Sequence, residues 1–502
     1  MAYPNPVPAG SYLNTQWQTS NPGTPPTLPS AWSATLLLSP FGDSISPLPH
    51  SAQLVVGTVE YSYTGQFNWM RVSLYNTQDL TYFDFMFIHY AESKKFAEDV
   101  WYWLDSTPNG PVNNVYGPFQ STLRVPAPTF LSDNGAQWGN TYPLMGIDCN
   151  HWVVPTPGPA DHGSWYTFRD DTSNLFRIFM MDSTNPLMIP ILGSYYIANL
   201  PTFTPDATSD ETGAVLRRIQ NGQVKSKDDY WNPLVTQEDI QRAMASPLAS
   251  APCTLGDIQA VIPGFTAMPS GVTTPVWSDQ TYIEGWTLGT DFIPYWTQVC
   301  YLWTGDANSK QQTVFVGLGL NAGQGTYLER SDTCLDTEGT TQPYYEFQAN
   351  SSGTWTWKLC QQPIPGVGLP YPNWLADDGG VAMAQIVGNP NFGLTPEQTL
   401  NLFAAQLPRG GGELAIFWLW FTGEGNGVLF TEGNYMNPLS HNLQLIDYTL
   451  FVQNAGITQS AFENSPCGWM AAKIPPKPRS AHGHLTRVGG EKRRIGEPRS
   501  FG

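Results

Sequence analysis

The chain is poor in charge. Lys, Arg, Asp and Glu together make up 13% of its 502 residues, about half the usual share. That scarcity argues against long solvated helices laced by ion pairs. Basic residues are the scarcer sign, 23 against 41 acidic, for a net charge of −18. A body this acidic repels phosphate backbones, which argues against nucleic acid as its partner. Long apolar runs are missing too. No stretch approaches the roughly 18 residues that a membrane helix needs, and the densest, "LAIFWLWF", reads as a buried strand. The opening "MAYPNPVPAGSYLNTQWQ" lacks the basic flank and apolar core of a signal peptide, so the expected location is cytoplasmic. None of the six cysteines forms a Cys-x-x-Cys pair, which points to free thiols in a reducing compartment.

What is abundant is glycine (47), proline (44) and tryptophan (19). This mixture suits strands and turns. The length predicts two domains. Alternating segments predict strands at "LVVGTVEYSY", "WMRVSLYN", "YFDFMFIHY", "SWYTFRD" and "LFRIFMM". In the second half "TVFVGLGL", "TWTWKLC", "ELAIFWLWF" and "LQLIDYTLFVQ" read the same way. Between the halves, "TSDETGAVLRRIQNG" predicts a helix ended by Asn221-Gly222, and Thr254 with Asp257 predicts a capping box, as does Thr236 with Asp239. Thr395, Pro396 and Gln398 predict a further helix over "LTPEQTLNLFAAQLPRGGG".

The halves echo each other. Asn185-Pro186-Leu187 returns as Asn437-Pro438-Leu439, and Tyr196 as Tyr448, both 252 residues on. Trp165-Tyr166-Thr167-Phe168 meets Phe417-Trp418-Leu419-Trp420 at the same step. Trp101-Tyr102-Trp103 meets Trp355-Thr356-Trp357 at 254, and Trp69 meets Trp296 at 227. A diverged tandem duplication follows: mainly β, with two curved antiparallel sheet domains and a few helices. The expected divisions are a Pro-rich arm (1–27), a first β domain (28–205), a helical linker (206–277), a second β domain (278–456) and a basic tail (457–502). From Lys473 onward the tail holds eight basic and two acidic residues, a surplus of +6 that leaves about −24 for the rest. It has too little apolar surface to offset its ordering entropy, so disorder is expected there.

The segment "AWSATLLLSP", followed by "VGTVEYSYTGQFNWMRVSLYN" and "FMFIHYAES", resembles the opening of the violacein-pathway enzyme VioE. "WYTFRDDTSNLFRIFMMDSTNPL" resembles the closing part of that family. The resemblance implies a half-barrel, like bacterial lipoprotein carriers, that holds an apolar ligand in its concave face and works without cofactor or metal. It carries Ser39, Asn76 and Glu92 over as candidate catalytic residues, with Tyr75 lining the pocket. Two positions depart from the family pattern. Leu37 stands in place of a tyrosine and Met188 in place of an arginine, so an anionic substrate loses its strongest partners. Because the family pairs as a homodimer, the two repeats are expected to form a pseudo-dimer within one chain.

Other chemistry competes. Asp148, Cys149, His151, Asp161 and His162 could be metal ligands, a Cys–His nucleophile pair or plain solvated loop residues; their spacing matches no structural zinc pattern. The Trp-x-Trp segments could be ligand platforms or core. Three functions follow. The first is a cofactor-free enzyme of secondary metabolism that steers a hydrophobic aromatic intermediate through rearrangement or cyclisation by confinement and acid–base catalysis. The second is a carrier for an apolar ligand, and the third a structural assembly protein.

Overall fold

The computed structural model describes residues 23–40, 54–90, 99–120, 125–144, 147–154, 164–169, 175–180, 196–225, 251–267, 272–288, 294–302, 310–318, 327–335, 344–349, 355–361, 372–377, 380–408, 414–422, 428–437 and 442–456. The fold is mainly β, two antiparallel sheets with a few short helices.

The first sheet holds β1 (Ala31–Pro40), β2 (Val55–Tyr63), β3 (Phe67–Asn76), β4 (Thr81–Tyr90), β5 (Asp99–Asp105) and β6 (Asn114–Gln120). Helix α1 (Phe130–Asp133) then leads to β7 (Gln137–Leu144), β8 (Ile147–Val154), β9 (Ser164–Arg169), β10 (Leu175–Met180), β11 (Tyr196–Asn199) and β12 (Phe203–Pro205). The linker carries α2 (Asp210–Gln220), β13 (Ala251–Pro252), α3 (Leu255–Val261) and β14 (Phe265–Ala267). The second sheet runs through β15 (Gln280–Leu288), β16 (Pro294–Leu302), β17 (Lys310–Leu318), β18 (Tyr327–Leu335), β19 (Tyr344–Ala349) and β20 (Trp355–Gln361). It continues from α4 (Trp374–Asp377) to β21 (Val381–Val387), β22 (Thr399–Pro408), β23 (Leu414–Thr422), β24 (Val428–Asn437) and β25 (Asn442–Gln453).

Both sheets have one strand order. The first runs β6-β5-β4-β3-β2-β1-β11-β10-β9-β8-β7, and the second, after β14, runs β21-β22-β23-β24-β25-β15-β16-β17-β18-β19-β20. In each, six strands meander one way and five the other, and the last strand returns beside the first. Neither path closes into a barrel, since the end strands do not pair.

The agreement reaches single hydrogen bonds. Leu28 N–H donates to Pro128 O, and Trp277 N–H to Pro372 O. Ala136 N–H donates to Leu131 O, and Gly380 N–H to Leu375 O. Asp206 N–H donates to Ala31 O, and Ala455 N–H to Gln280 O. Two β-bulges also recur. One falls between Trp138 and Asn140 and again between Ala382 and Ala384. Another falls between Leu175 and Arg177 and again opposite Trp420 and Phe421, between Leu429 and Thr431. A third bulge lies between β5 and β6 and between β19 and β20, but shifted: Trp103 matches Glu346, and the bulge falls on opposite sides of that residue in the two halves. A bulge is costly to place by chance because it breaks the ladder and kinks the strand.

These ladders correct the sequence echoes. Trp165 pairs with Val153 and Trp418 with Ala404, so Trp165 matches Trp418 at a step of 253 residues (418 − 165). The expected step of 252 was one residue short, which on a strand exchanges the two faces. Trp69 lies on β3, whereas Trp296 lies on β16, the counterpart of β2. Trp101 lies on β5, whereas Trp355 lies on β20, the counterpart of β6.

Local chemistry explains most other elements. Helix α2 starts where the Ser209 side chain accepts from Thr212 N–H and ends at Asn221, with Gly222 at φ +67°. Thr254 and Asp257 form the expected reciprocal capping box on α3. Thr236 and Asp239 lie outside the described residues. One expectation fails. The segment predicted to be helical after Thr395 is strand β22. Thr395 and Gln398 close a turn instead, through Gln398 N–H to Thr395 O (3.0 Å) and Thr395 N–H to Gln398 Oε1 (2.9 Å). Leu400, Leu402 and Ala404 then alternate into a buried cluster, a period of two that tertiary packing enforces over helix propensity.

That cluster joins the sheets. Leu37, Val56, Tyr75 and Tyr82 of the first sheet share a cluster with Ala384, Ile386, Leu400 and Leu402 of the second, with Ile258 of α3 and Ile262 at its end wedged between. Gly264 ends the wedge at φ +81°, where a Cβ would collide with the Val387 carbonyl oxygen.

Candidate functional site

Side chains alternate along each strand, so the first sheet has two distinct faces. One face is mostly apolar. It gathers Trp32, Leu36 and Leu38 of β1, Val59 and Tyr61 of β2, and Met70, Val72 and Leu74 of β3. Phe83, Phe85 and Phe87 of β4 join Trp101 and Trp103 of β5 and Phe119 of β6. Trp152 and Val154, from β8 near the other end of the sheet, belong to the same cluster. Strands so far apart in the sheet share one cluster only if the sheet curls, so this face is the concave one. The Trp-x-Trp pair of the first half sits here. Trp101 stacks on Phe119 at 4.2 Å between centroids, and Trp103 meets Phe85 edge-on at 4.8 Å.

The sheet does not close this face. A strap from the chain does. Val125, Phe130, Leu131 and Ala136 put their side chains into the concave cluster. The strap is anchored by Tyr61 OH donating to Pro126 O (2.6 Å) and by Leu28 N–H donating to Pro128 O (2.9 Å). Burial pushes the Tyr61 hydroxyl far above its ordinary pKa, so it stays a donor.

Among the described residues, four N–H groups on this face have no acceptor. They are Nε1 of Trp32, Trp138 and Trp152, and Nδ2 of Asn68. Asn68 shares the parity of Met70 and Val72 on β3, and its Oδ1 is already taken by Gly65 N–H (2.9 Å). Each buried, unpaired donor costs about 1–3 kcal/mol.

The opposite face is polar at its centre. Asp84 accepts from Arg71 Nε (3.1 Å) and Nη2 (2.7 Å), from Ser73 Oγ (3.1 Å), from Tyr82 OH (3.2 Å) and from Ser106 Oγ (2.8 Å). Arg71 Nη1 donates to Thr212 Oγ1 of α2 (2.9 Å). Burial alone would lower the Arg71 pKa, but the Asp84 carboxylate outweighs it and holds the guanidinium charged. Every carboxylate oxygen is used, so this cluster latches α2 to the sheet rather than offering a site.

The residues singled out by sequence fall differently. Leu37 and Tyr75 lie together, but in the cluster between the two sheets and not on the concave face. The Asn76 side chain ties the β3–β4 turn: Oδ1 accepts from Gln78 N–H (3.0 Å) and Asp79 N–H (3.2 Å), and Nδ2 donates to Asp79 Oδ2 (3.2 Å). Ser39 pairs with Ile197 through the β1–β11 ladder. Glu92 and Met188 lie outside the described residues. Cys149 and His151 are not in a solvated loop. Both are fully buried on β8, and desolvation lowers the His151 pKa to about 3, so its ring is neutral. Asp161 and His162 lie outside the described residues, and no cluster of three or more potential metal ligands occurs among the described ones.

Sequence reasoning missed the strap. Its signal was present: Pro128-Thr129-Phe130-Leu131-Ser132-Asp133 returns as Pro372-Asn373-Trp374-Leu375-Ala376-Asp377, 244 residues on (372 − 128).

No helix among the described residues is long and apolar enough to cross a membrane. No family model matches the chain, and no curated protein matches it. Solved structures give distant likenesses. The complex of MucA and MucB from Pseudomonas aeruginosa is 7% identical at a TM-score of 0.21, over 84% of this chain and 89% of that one. MucB with the periplasmic part of MucA is 7% identical at 0.19, over 65% and 86%, and MucB alone is 9% identical at 0.18, over 57% and 74%. Likenesses this low carry no argument about function.

Proposed function

We propose that the chain binds an apolar small molecule against the concave face of its first sheet, beneath the strap from Val125 to Ala136. One observation carries this reading: an aromatic, largely apolar face is covered by a short connecting segment instead of by strand pairing. A strap held by two hydrogen bonds and four buried side chains opens at less cost than a full strand ladder. The two halves act as a pseudo-dimer in which the cluster around α3 fixes their pairing, and the body works in the cytoplasm.

Titration with Nile red, a neutral apolar dye, tests the reading. Saturable binding in the micromolar range is expected, tightened by Phe130→Ala, which removes the strap's own plug. An emission spectrum unchanged at every dye concentration would end it. The VioE resemblance adds catalysis on such a ligand, with Glu92 as the acid–base group. Glu92→Gln with binding retained and turnover lost is the outcome that this addition requires.

A further inference from the structure

We infer that the ligand is a neutral carbonyl compound on an apolar body, a ketone, quinone or ester, and that each chain takes one. This rests on the binding proposed above and adds the ligand's chemistry and stoichiometry. The unpaired groups on the concave face are all N–H donors: Trp32 Nε1, Asn68 Nδ2, Trp138 Nε1 and Trp152 Nε1. A partner that satisfies them must bring acceptors. On the described strands no Lys or Arg shares the parity of this face, whereas Asp99 and Asp105 of β5 do, so a carboxylate or phosphate would be buried without a counter-charge, which is strongly unfavourable. A hydrocarbon would leave every donor unpaired. A carbonyl oxygen accepts two N–H bonds and carries no net charge.

The second half shows what these positions become without the donors. Matching the ladders pairs Trp32 with Thr281, Trp138 with Ala382 and Trp152 with Phe403. Ala382 and Phe403 have no side-chain donor. The Thr281 hydroxyl is satisfied by Ser278 O at 3.0 Å. At these positions the duplicated sheet meets its core needs with no orphan N–H. The three indoles of the first half are therefore not demanded by the fold, and at these described positions their donors belong to the first half alone.

The test compares three probes of one shape by equilibrium dialysis against the full chain: 2-acetonaphthone, 2-ethylnaphthalene and 2-naphthoate. The ketone should bind about tenfold more tightly than the hydrocarbon, the worth of one or two neutral hydrogen bonds, and the anion most weakly. One ketone should bind per chain. With 15N-labelled indoles, the ketone should move the N–H resonances of Trp138 and Trp152 downfield. Trp138→Phe should cost the ketone severalfold while leaving the hydrocarbon unchanged; the resonance shift decides the matter if that variant does not fold. Equal affinity for ketone and hydrocarbon would overturn the carbonyl assignment while leaving the binding face intact. Tightest binding of the anion would overturn neutrality, and two ketones per chain would overturn the one-sided assignment. Failure of all three probes would remove the underlying binding proposal itself.

Discussion

The two halves of this chain share a plan and differ in what they put on it. Strand order, two bulges and the strap hydrogen bonds are common to both. Side chains at matched positions are not. The first half buries a bidentate ion pair, Arg71 with Asp84, whereas the ladders bring Thr313 and Arg330 to the matching places. The first half buries His151 where the second has Leu402, and Cys149 where the second has Leu400. Three indoles of the first half correspond in position to Thr281, Ala382 and Phe403 of the second. Backbone hydrogen bonding thus tolerates wide exchange of side chains at matched positions. Polar groups kept in one half alone answer needs that the shared fold does not impose.

The largest expected effect follows from the ion pair. Arg71→Met leaves Asp84, 1% exposed, without its cation. Removing one partner of a buried pair costs about 3–5 kcal/mol. The double variant Arg71→Met with Asp84→Leu should recover a good part of that loss, because it also removes the stranded charge. Urea denaturation measures both. A single variant that loses less than about 1 kcal/mol would mean that Ser73, Tyr82 and Ser106 hold the carboxylate by themselves.

The next effect depends on pH. His151 has a folded pKa of about 3, lowered by desolvation, against roughly 6.5 when unfolded. Below pH 6.5 the unfolded chain takes up a proton that the native chain refuses. The stability present above that pH is therefore lost as pH falls toward 3, at about 1.4 kcal/mol per pH unit. His151→Leu copies the second half and should remove this loss. The stability curves of the two proteins should run parallel above pH 7 and diverge below 6. Curves that stay parallel down to pH 4.5 would show the ring to be protonated in the fold.

How much of this was legible follows from range. Features that depend on adjacent residues, such as the Thr254 capping box and the Asn221-Gly222 helix stop, were readable because their physics is local. Strands rich in aromatics were readable from period-two patterning. The strand at Thr399 was not, since good helix formers such as Leu400, Ala404, Ala405 and Gln406 adopt β geometry only because the inter-sheet cluster demands it. The candidate site was the least legible part. Leu37 and Tyr75 have the right apolar character, but one-residue alternation decides which face they serve, and no local signal fixes that parity. The indole donors read only as aromatic; that they lack acceptors is a property of the folded face.

The smallest effect separates the two linker helices, which clamp different things. The Ser209 cap starts α2, whose Thr212 is bound to Arg71 and whose Glu211 accepts from Val112 N–H (2.8 Å). The Thr254 capping box starts α3, the wedge between the sheets. Either residue changed to Ala should cost about 1 kcal/mol. Their consequences should differ in kind. Val215 and Ile219 pack α2 on Trp69, Met86 and Tyr102 of the first sheet alone, so Ser209→Ala should raise amide exchange in α2 and leave the second half untouched. Ile258 and Ile262 contact both sheets, so Thr254→Ala should raise exchange on β2 and on β21 together. Hydrogen exchange read by mass spectrometry distinguishes these patterns. Exchange confined to α3 itself in Thr254→Ala would mean that the sheets hold each other without the wedge, through the rest of the cluster that Leu37 and Val56 share with Leu400 and Leu402.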